Sequence, residues 1–454
     1  MKLNTRPAPI HSHEGGRAKR INPEQQLRRS VMACLLWEDE FYEDGDTIAR
    51  RIVNSIRNVD RDALVTIAEY ARSELNLRHV PLLIASAMCQ CLKHSHHAED
   101  AVAGVIQRAD ELAEIVAIHC RLNGVGPDEA KKVLGGQMKR GLARAFPRFD
   151  AYQLAKYNRP GAITLRDVLF MCHAKPRNPE QDATWKQLID GSLQPPDTWE
   201  VALSRGDDKK AAFTRLLTTG KLGYLALLRN LRNMLEAGVD RDMITDAIVA
   251  RKGAQRVLPF RYVAAARAVP QLEPALDNAL LAAVTETKDL SGKTVVLVDV
   301  SGSMEAPLSA KSDMTRLDAA ATLASVLNCD RRVFTFSAGN VRHCYGEWDG
   351  GKITVEVPPR IGMAGIDAIA NSQFHGGTML GQAVKEVNAI PHDRLIVITD
   401  EQSSDPVPDP VAKHAYLINV ASNQNGIGYG RWTHIDGFSE SIFRYIYAAE
   451  EVLS

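Results

Sequence analysis

Along the first 290 residues apolar positions recur at helical spacing; after residue 293 they gather into short strand-like runs. DRDALVTIAEYARSELNL (60–77) places Leu64, Ile67, Ala68, Ala71 and Leu75 on one stripe behind an N-cap candidate, Asp60, and predicts an amphipathic helix. VPLLIASAMCQCLKH (80–94) is apolar over most of its surface, with Pro81 in its first turn, and predicts a buried helix. AEDAVAGVIQRA, ADELAEIVAIHCRLNG and PDEAKKVLGGQMKRGLARAF each read as about one helix, with short connections such as GVGPDE and RNPEQDAT between elements. Helices that follow one another without strands predict an α-solenoid of HEAT-type repeats. That expectation rests on helix spacing, because repeat similarity in the sequence itself is weak.

From Lys293 onward strands and helices alternate. TVVLVDV, RRVFTFSA, KITVEV, RLIVITD and AYLINVAS read as strands, KITVEV at an edge. TRLDAAATLASVLN, GIDAIANSQ, MLGQAVKEVNAI and SESIFRYIYAAEEVL read as helices. This alternation predicts a doubly wound, mostly parallel sheet. The expected division is a flexible basic arm at 1–20, a helical-repeat module at 21–290 and an α/β domain at 291–454. The short polar boundary KDLSGK implies docked rather than loosely tethered domains.

One strand carries candidate chemistry. TVVLVDVSGS (294–303) runs from apolar β-formers into Asp299, Ser301 and Ser303, with Gly302 relaxing the turn. Ligands collect where buried parallel strands end, and hard cations such as Mg²⁺ prefer an all-oxygen shell. A strand followed by a polar turn capped by Asp and Ser is the plainer alternative. Two further segments favour the cation: RLIVITDE ends a second run in Asp400, and FHGGT sets Thr378 ahead of a helix. In its chain order the set resembles the metal-ion-dependent adhesion site of von Willebrand A domains. The resemblance implies a divalent cation held by Asp299, Ser301, Ser303, Thr378 and Asp400. Met379 stands where an acidic residue often follows the threonine, a departure that bears on ligand preference.

Charge adds a second candidate surface. The chain has no net charge, yet residues 1–290 hold 42 Lys and Arg against 36 Asp and Glu, leaving 13 against 19 for the rest. Between Glu129 and Asn178 there are eleven cations and three acids, an excess of eight. Such density is the footprint of a polyanion-binding surface, whereas shorter runs are usually a solvated helix face. Arg140 and Arg144 lie four apart, on one face of a helix. The seven cysteines are odd in number, without a CxxC pair, in mostly apolar context; they read as buried reduced thiols of a reducing cytosol, not as a zinc site. No apolar run is long enough to span a bilayer, and the first twenty residues lack the apolar stretch of a secretory signal.

Several stretches of the helical half resemble the Ro autoantigen family, built on the TROVE module: LRHVPLLIASAM (77–88), LAKYNRPGAITLRDVLFMCHAKP (154–176), TWEVALSRG (198–206), LGYLALLRNLRNML (222–235) and LPFRYVAAARA (258–268). The resemblance implies a ring-like solenoid of helical repeats followed by a von Willebrand A domain. It also implies Y RNA-like structured non-coding RNA on a basic outer face, and single-stranded ends of misfolded RNA in a central hole. Family RNA contacts carry over to Lys156 and His173. Arg159 follows with a spacing about one position off the family's interval, and Lys139, Arg140 and Arg144 lie on the preceding basic helix. His173 also reads as a helix C-terminal cap, and Tyr152 and Tyr157 read first as half-buried packing.

The expected function is therefore a non-catalytic, cytoplasmic, monomeric RNA-binding scaffold for RNA quality control. An exoribonuclease or other RNA-processing protein is a further expected partner, with an acidic protein ligand at the metal site. A nuclease would need a two-metal carboxylate cluster or a paired acid and base; His375 is the general-base candidate near the oxygen set and reads as a loop histidine. No phosphate-binding loop or nucleophile elbow is present. The alternative is a metal-dependent protein-binding adaptor with the solenoid as a docking surface.

Overall fold

The computed structural model describes residues 10–11, 17–18, 22–33, 45–73, 77–194, 196–204, 206–257, 259–285, 290–308, 314–338, 353–358, 360–421, 430–437, 442–443, 446–447 and 450. Most of the 1–20 arm, Leu75, Cys34, Cys344 and most of the closing helix expected at 439–453 lie outside these residues. The chain forms two compact units, one of residues 23–31 and 48–206, the other of 1–22, 32–47 and 207–454. The change from helices to strands near 290 therefore falls inside the second unit.

A short antiparallel pair, β1 (Ile10–His11) and β2 (Arg17–Ala18), precedes the helices. These begin with α1 (Pro23–Ala33), α2 (Gly45–Ser55), α3 (Arg61–Ser73), α4 (His79–Cys91), α5 (His96–Val105) and α6 (Asp110–Leu122). Asp60 caps α3, its carboxylate accepting from the backbone N–H of Asp62 at 2.9 Å and of Ala63 at 3.2 Å. On α4 every residue from Val80 to Met88 is buried. Arg72 of α3 and Glu111 of α6 form a buried pair at 2.7 Å, and Glu111 also accepts from the backbone N–H of Gln107 and Arg108.

The stretch read as one helix at 127–146 is two, α7 (Ala130–Val133) and α8 (Gly136–Ala145), because Gly135 is extended and starts a new helix. A Cβ on Gly141 would lie 2.6 Å from Val102, so α5 and α8 pack at a separation only glycine allows. There follow α9 (Ala151–Tyr157), α10 (Leu165–Cys172), α11 (Pro179–Asp190) and α12 (Trp199–Ser204). Asp150 with Gln153 and Thr164 with Asp167 form capping boxes on α9 and α10, and α10 packs against α8.

The 207–454 part of the second unit begins with α13 (Lys209–Thr218), α14 (Tyr224–Glu236), α15 (Arg241–Ala250), α16 (Pro259–Ala268) and α17 (Glu273–Thr285). Then come β3 (Leu290–Asp299), α18 (Arg316–Val326), β4 (Cys329–Phe336), β5 (Thr354–Val357), α19 (Met363–Ala370), α20 (Leu380–Asn388), β6 (Arg394–Thr399), β7 (His414–Asn419) and β8 (Thr433–Asp436). The strands form one sheet in the order β5-β4-β3-β6-β7-β8, parallel except for β5 at its edge. The edge position and the parallel core agree with the sequence reading, and β8 adds a strand that the sequence pattern does not announce.

One face of the sheet buries Val295, Leu297, Phe334, Phe336, Leu395, Val397 and Leu417 against α20. Alternate residues turn to the other side, where every residue of α18 except Asp318 is buried. Helices α16 and α17 dock here: Arg267 pairs with Asp318 at 3.1 Å, and Asp277 accepts from the backbone N–H of Met363 at 2.9 Å. Among the described residues no helix is long and apolar enough to cross a membrane.

Candidate functional site

At the carboxyl edge of the sheet, β3 and β6 run parallel in register, Val298 opposite Ile398, so Asp299 ends its strand beside Thr399 and Asp400 follows one residue later, close enough for its charge to act on Asp299. Both are fully buried. The backbone N–H of Ser301 donates to Asp299 Oδ1 at 2.9 Å, and the Thr399 hydroxyl donates to Oδ2 at 2.6 Å. The Ser301 and Ser303 hydroxyl oxygens are 3.2 Å apart. The Gly302 N–H donates to the Gly376 carbonyl at 2.9 Å and joins the 374–378 loop to this turn. Thr378 is half-buried, its carbonyl accepting from the backbone and hydroxyl of Ser404. The five sequence-selected residues thus lie on three loops at one sheet edge.

Burial, then the negative charge of Asp400, pushes the Asp299 carboxyl up to about 7, against opposing hydrogen bonds from Thr399 and Ser301. Two carboxyl groups out of water with hydroxyls around them are an oxygen donor set that suits a hard cation, whose charge would favour the ionised form of Asp299. Among the described residues no three or more His, Cys, Asp or Glu side chains are arranged so as to hold a metal ion, so the set depends on its hydroxyls. Two contributors escape a reading of the sequence: Thr399, and Arg316, whose buried guanidinium lies 3.4 Å from Asp400 Oδ2 and 3.5 Å from the Ser303 carbonyl. Neither leaves a signal, since one ends a strand and the other stands in the first turn of α18. His375 is engaged at both ring nitrogens, with Glu305 at 2.6 Å and the Ala370 carbonyl at 2.9 Å, so it latches the loop.

The second candidate surface lies on α8, α9, α10 and their connections. Lys139 is half-buried, and Arg140, Arg144, Arg159 and His173 are exposed. Arg140 pairs with Glu99 at 2.6 Å and Arg144 with Asp100 at 2.6 Å. The hydrogen bond to Asp100 holds the Arg144 guanidinium above its ordinary range. A local charge count misses these acids because α5 lies forty residues earlier in the chain. Arg148 donates to the Ala103 carbonyl; burial, then the fields of Arg144 and Arg177, push its guanidinium down.

Further along, the cations stand apart from acids. Among the described residues no carboxylate forms an ion pair with Lys156, Arg159, Arg166, Lys175 or Arg177. Lys156 lies 5.7 Å from the Tyr157 ring centroid, with Arg108 over the same ring at 4.8 Å. Tyr157 is half-buried, as expected, but Tyr152 is 56% exposed. His173 is the left-handed C-cap of α10, its backbone N–H donating to Leu169. The cap uses only its backbone, so capping and an exposed imidazole coexist.

The comparisons match this architecture. The model of the TROVE domain matches residues 33–192 and 183–321. A stretch of 89 residues is 33% identical to telomerase protein component 1 of Mus musculus, and equally to that of Rattus norvegicus. It covers 18% of this chain and only 3% of either relative. The crystal structure of the Deinococcus radiodurans RO (RSR) protein superposes with a TM-score of 0.55 at 17% identity, over 97% of this chain and 95% of that one. That likeness carries the fold, helical repeats with a von Willebrand A-like α/β domain. By the family match over most of its length, the chain belongs to the TROVE domain family.

Proposed function

We propose that this chain is a non-catalytic RNA-binding protein that holds Y RNA-like structured non-coding RNA along α8 to α10. In this reading it also takes single-stranded ends of misfolded RNA, as a cytoplasmic, monomeric scaffold for RNA quality control. The observation that carries it is the set Lys156, Arg159, Arg166, Lys175 and Arg177, free of carboxylate partners among the described residues on adjoining helices and loops. Cations left unneutralised by their own protein release counterions when they meet phosphates, a gain that needs no base reading. Arg140 and Arg144 can exchange Glu99 and Asp100 for phosphate only at the cost of an ion pair, so they rank below Lys156, Arg159 and His173 as contacts.

In the same reading Asp299, Ser301, Ser303, Thr378 and Asp400 hold a divalent cation, with Mg²⁺ the ion best suited to oxygen donors of this kind. When bound, that ion supplies an open coordination position for a carboxylate of an acidic protein ligand, such as an exoribonuclease or other RNA-processing protein. Around it, Thr399 orients Asp299, and Arg316 offsets part of the negative charge of Asp400.

Filter binding of a structured small RNA to the full chain over a salt series tests the reading. We expect affinity that falls steeply with salt; no affinity at low salt would overturn it. The buried carboxylate pair favours one other reading, a metal-dependent protein adaptor. It predicts Mg²⁺-dependent capture of an acidic peptide without RNA affinity.

A further inference from the structure

We infer that Phe170, with Arg166 one turn before it on the same helix face and the exposed His173 cap after it, is a stacking platform for unpaired bases of single-stranded RNA; this deepens the RNA-binding reading above and rests on it.

Helix α10 buries Leu165, Val168, Leu169, Met171 and Cys172, so its inward face is complete without Phe170. Phe170 instead stands 47% exposed, one turn beyond Arg166 and one turn before His173, both exposed. The Arg166 guanidinium lies 5.7 Å from the Phe170 ring centroid. Cation and benzene ring therefore share one outward face of the helix, and the exposed His173 cap ends it. The acid on this helix, Asp167, is tied down: it accepts from the Thr164 backbone at 2.9 Å and hydroxyl at 2.7 Å as part of the capping box.

A large apolar ring left half in water forgoes part of its burial, which a polar residue at the same place would not. An apolar protein partner would call for apolar neighbours around the ring. Here the group against the ring is the Arg166 guanidinium, and the exposed residues that follow the helix in the chain, His173, Lys175 and Arg177, add no apolar surface. Every base offers a flat face to such a ring, so the contact tolerates any sequence. In a duplex those faces are covered by neighbouring base pairs, so the platform selects single strands, loops and ends.

The test compares a single-stranded oligouridine with a blunt RNA duplex of equal length, each titrated with the full chain and its variants. Phe170→Leu keeps the bulk of the residue but removes the ring. We expect it to weaken single-strand binding about tenfold, as loss of one stacked base does, with duplex binding and the salt slope unchanged. Phe170→Trp should bind the single strand at least as tightly as the unaltered protein. Unchanged single-strand binding by Phe170→Leu, equal losses on both RNAs, or weaker binding by Phe170→Trp would each overturn the platform. If the unaltered protein binds neither RNA, the RNA-binding reading itself falls; if it binds and Phe170→Leu matches it, only the platform does.

Discussion

Thr399 and Asp299 meet across neighbouring parallel strands, the hydroxyl at the end of β6 donating to the carboxylate at the end of β3 over 2.6 Å. The bond fixes one carboxylate beside another, Asp400, at a place where neither is hydrated. Sheet register sets this arrangement, and it leaves at the strand ends a repulsion between like charges that a cation would relieve.

Divalent-ion binding follows from that pairing. Mg²⁺ should raise the thermal midpoint of the full chain and EDTA should return it, since a ligand at a hundred times its Kd stabilises by about 2.7 kcal/mol. Asp299→Ala should abolish the Mg²⁺ response. An equal response in that variant would remove Asp299 from the shell.

RNA contacts should separate by salt dependence. Lys156→Ala with His173→Ala should weaken structured RNA binding and reduce the slope of log affinity against log salt by about 1 for each phosphate no longer held. Arg140→Ala should do less, because Glu99 already neutralises that guanidinium. Filter binding over a salt series reads both, and equal effects would refute the ranking.

His119 makes the helical unit sensitive to mild acid. Its buried ring bonds the Ser86 hydroxyl at 2.9 Å, and burial pushes its pKa below the ordinary 6.5 despite the hydrogen bonds at Val133 and Ser86. Between the lowered folded value and 6.5 the unfolded chain binds more protons. Stability from this group is therefore complete above about pH 6.5 and lost as pH falls through the folded value. The thermal midpoint should drop more steeply below pH 6.5 in the unaltered chain than in His119→Gln. Parallel curves would contradict this.

Arg72 and Glu111 tie α3 to α6 inside the core. Arg72→Ala leaves Glu111 buried and should cost about 3–5 kcal/mol in chemical denaturation. Replacing both by apolar residues should cost less than Arg72→Ala alone.

Gly141→Ala should destabilise by about 1–3 kcal/mol, since the new methyl meets Val102 and the Glu99 carbonyl. Displacing α8 also moves Lys139, Arg140 and Arg144, so RNA affinity should fall with stability. Denaturation and filter binding on the same preparation check the two together.

By itself the sequence determined the helical first half, the Asp60 cap, the buried α4 and the parallel strands ending in Asp299 and Asp400, because hydrophobic period and cap chemistry are local properties. It also marked Thr378 and the basic stretch, whose residues lie close together or follow a family's order. Only the tertiary structure decided which cations are already paired: Glu99 and Asp100 reach Arg140 and Arg144 from α5, a pairing that no local count contains. The same holds for Thr399 and Arg316 beside the carboxylates, for β8, and for the break at Gly135. The exposed row of Arg166, Phe170 and His173 emerged only once packing had used the opposite face of α10. Helical period can name a face, but burial decides which face is left for a ligand.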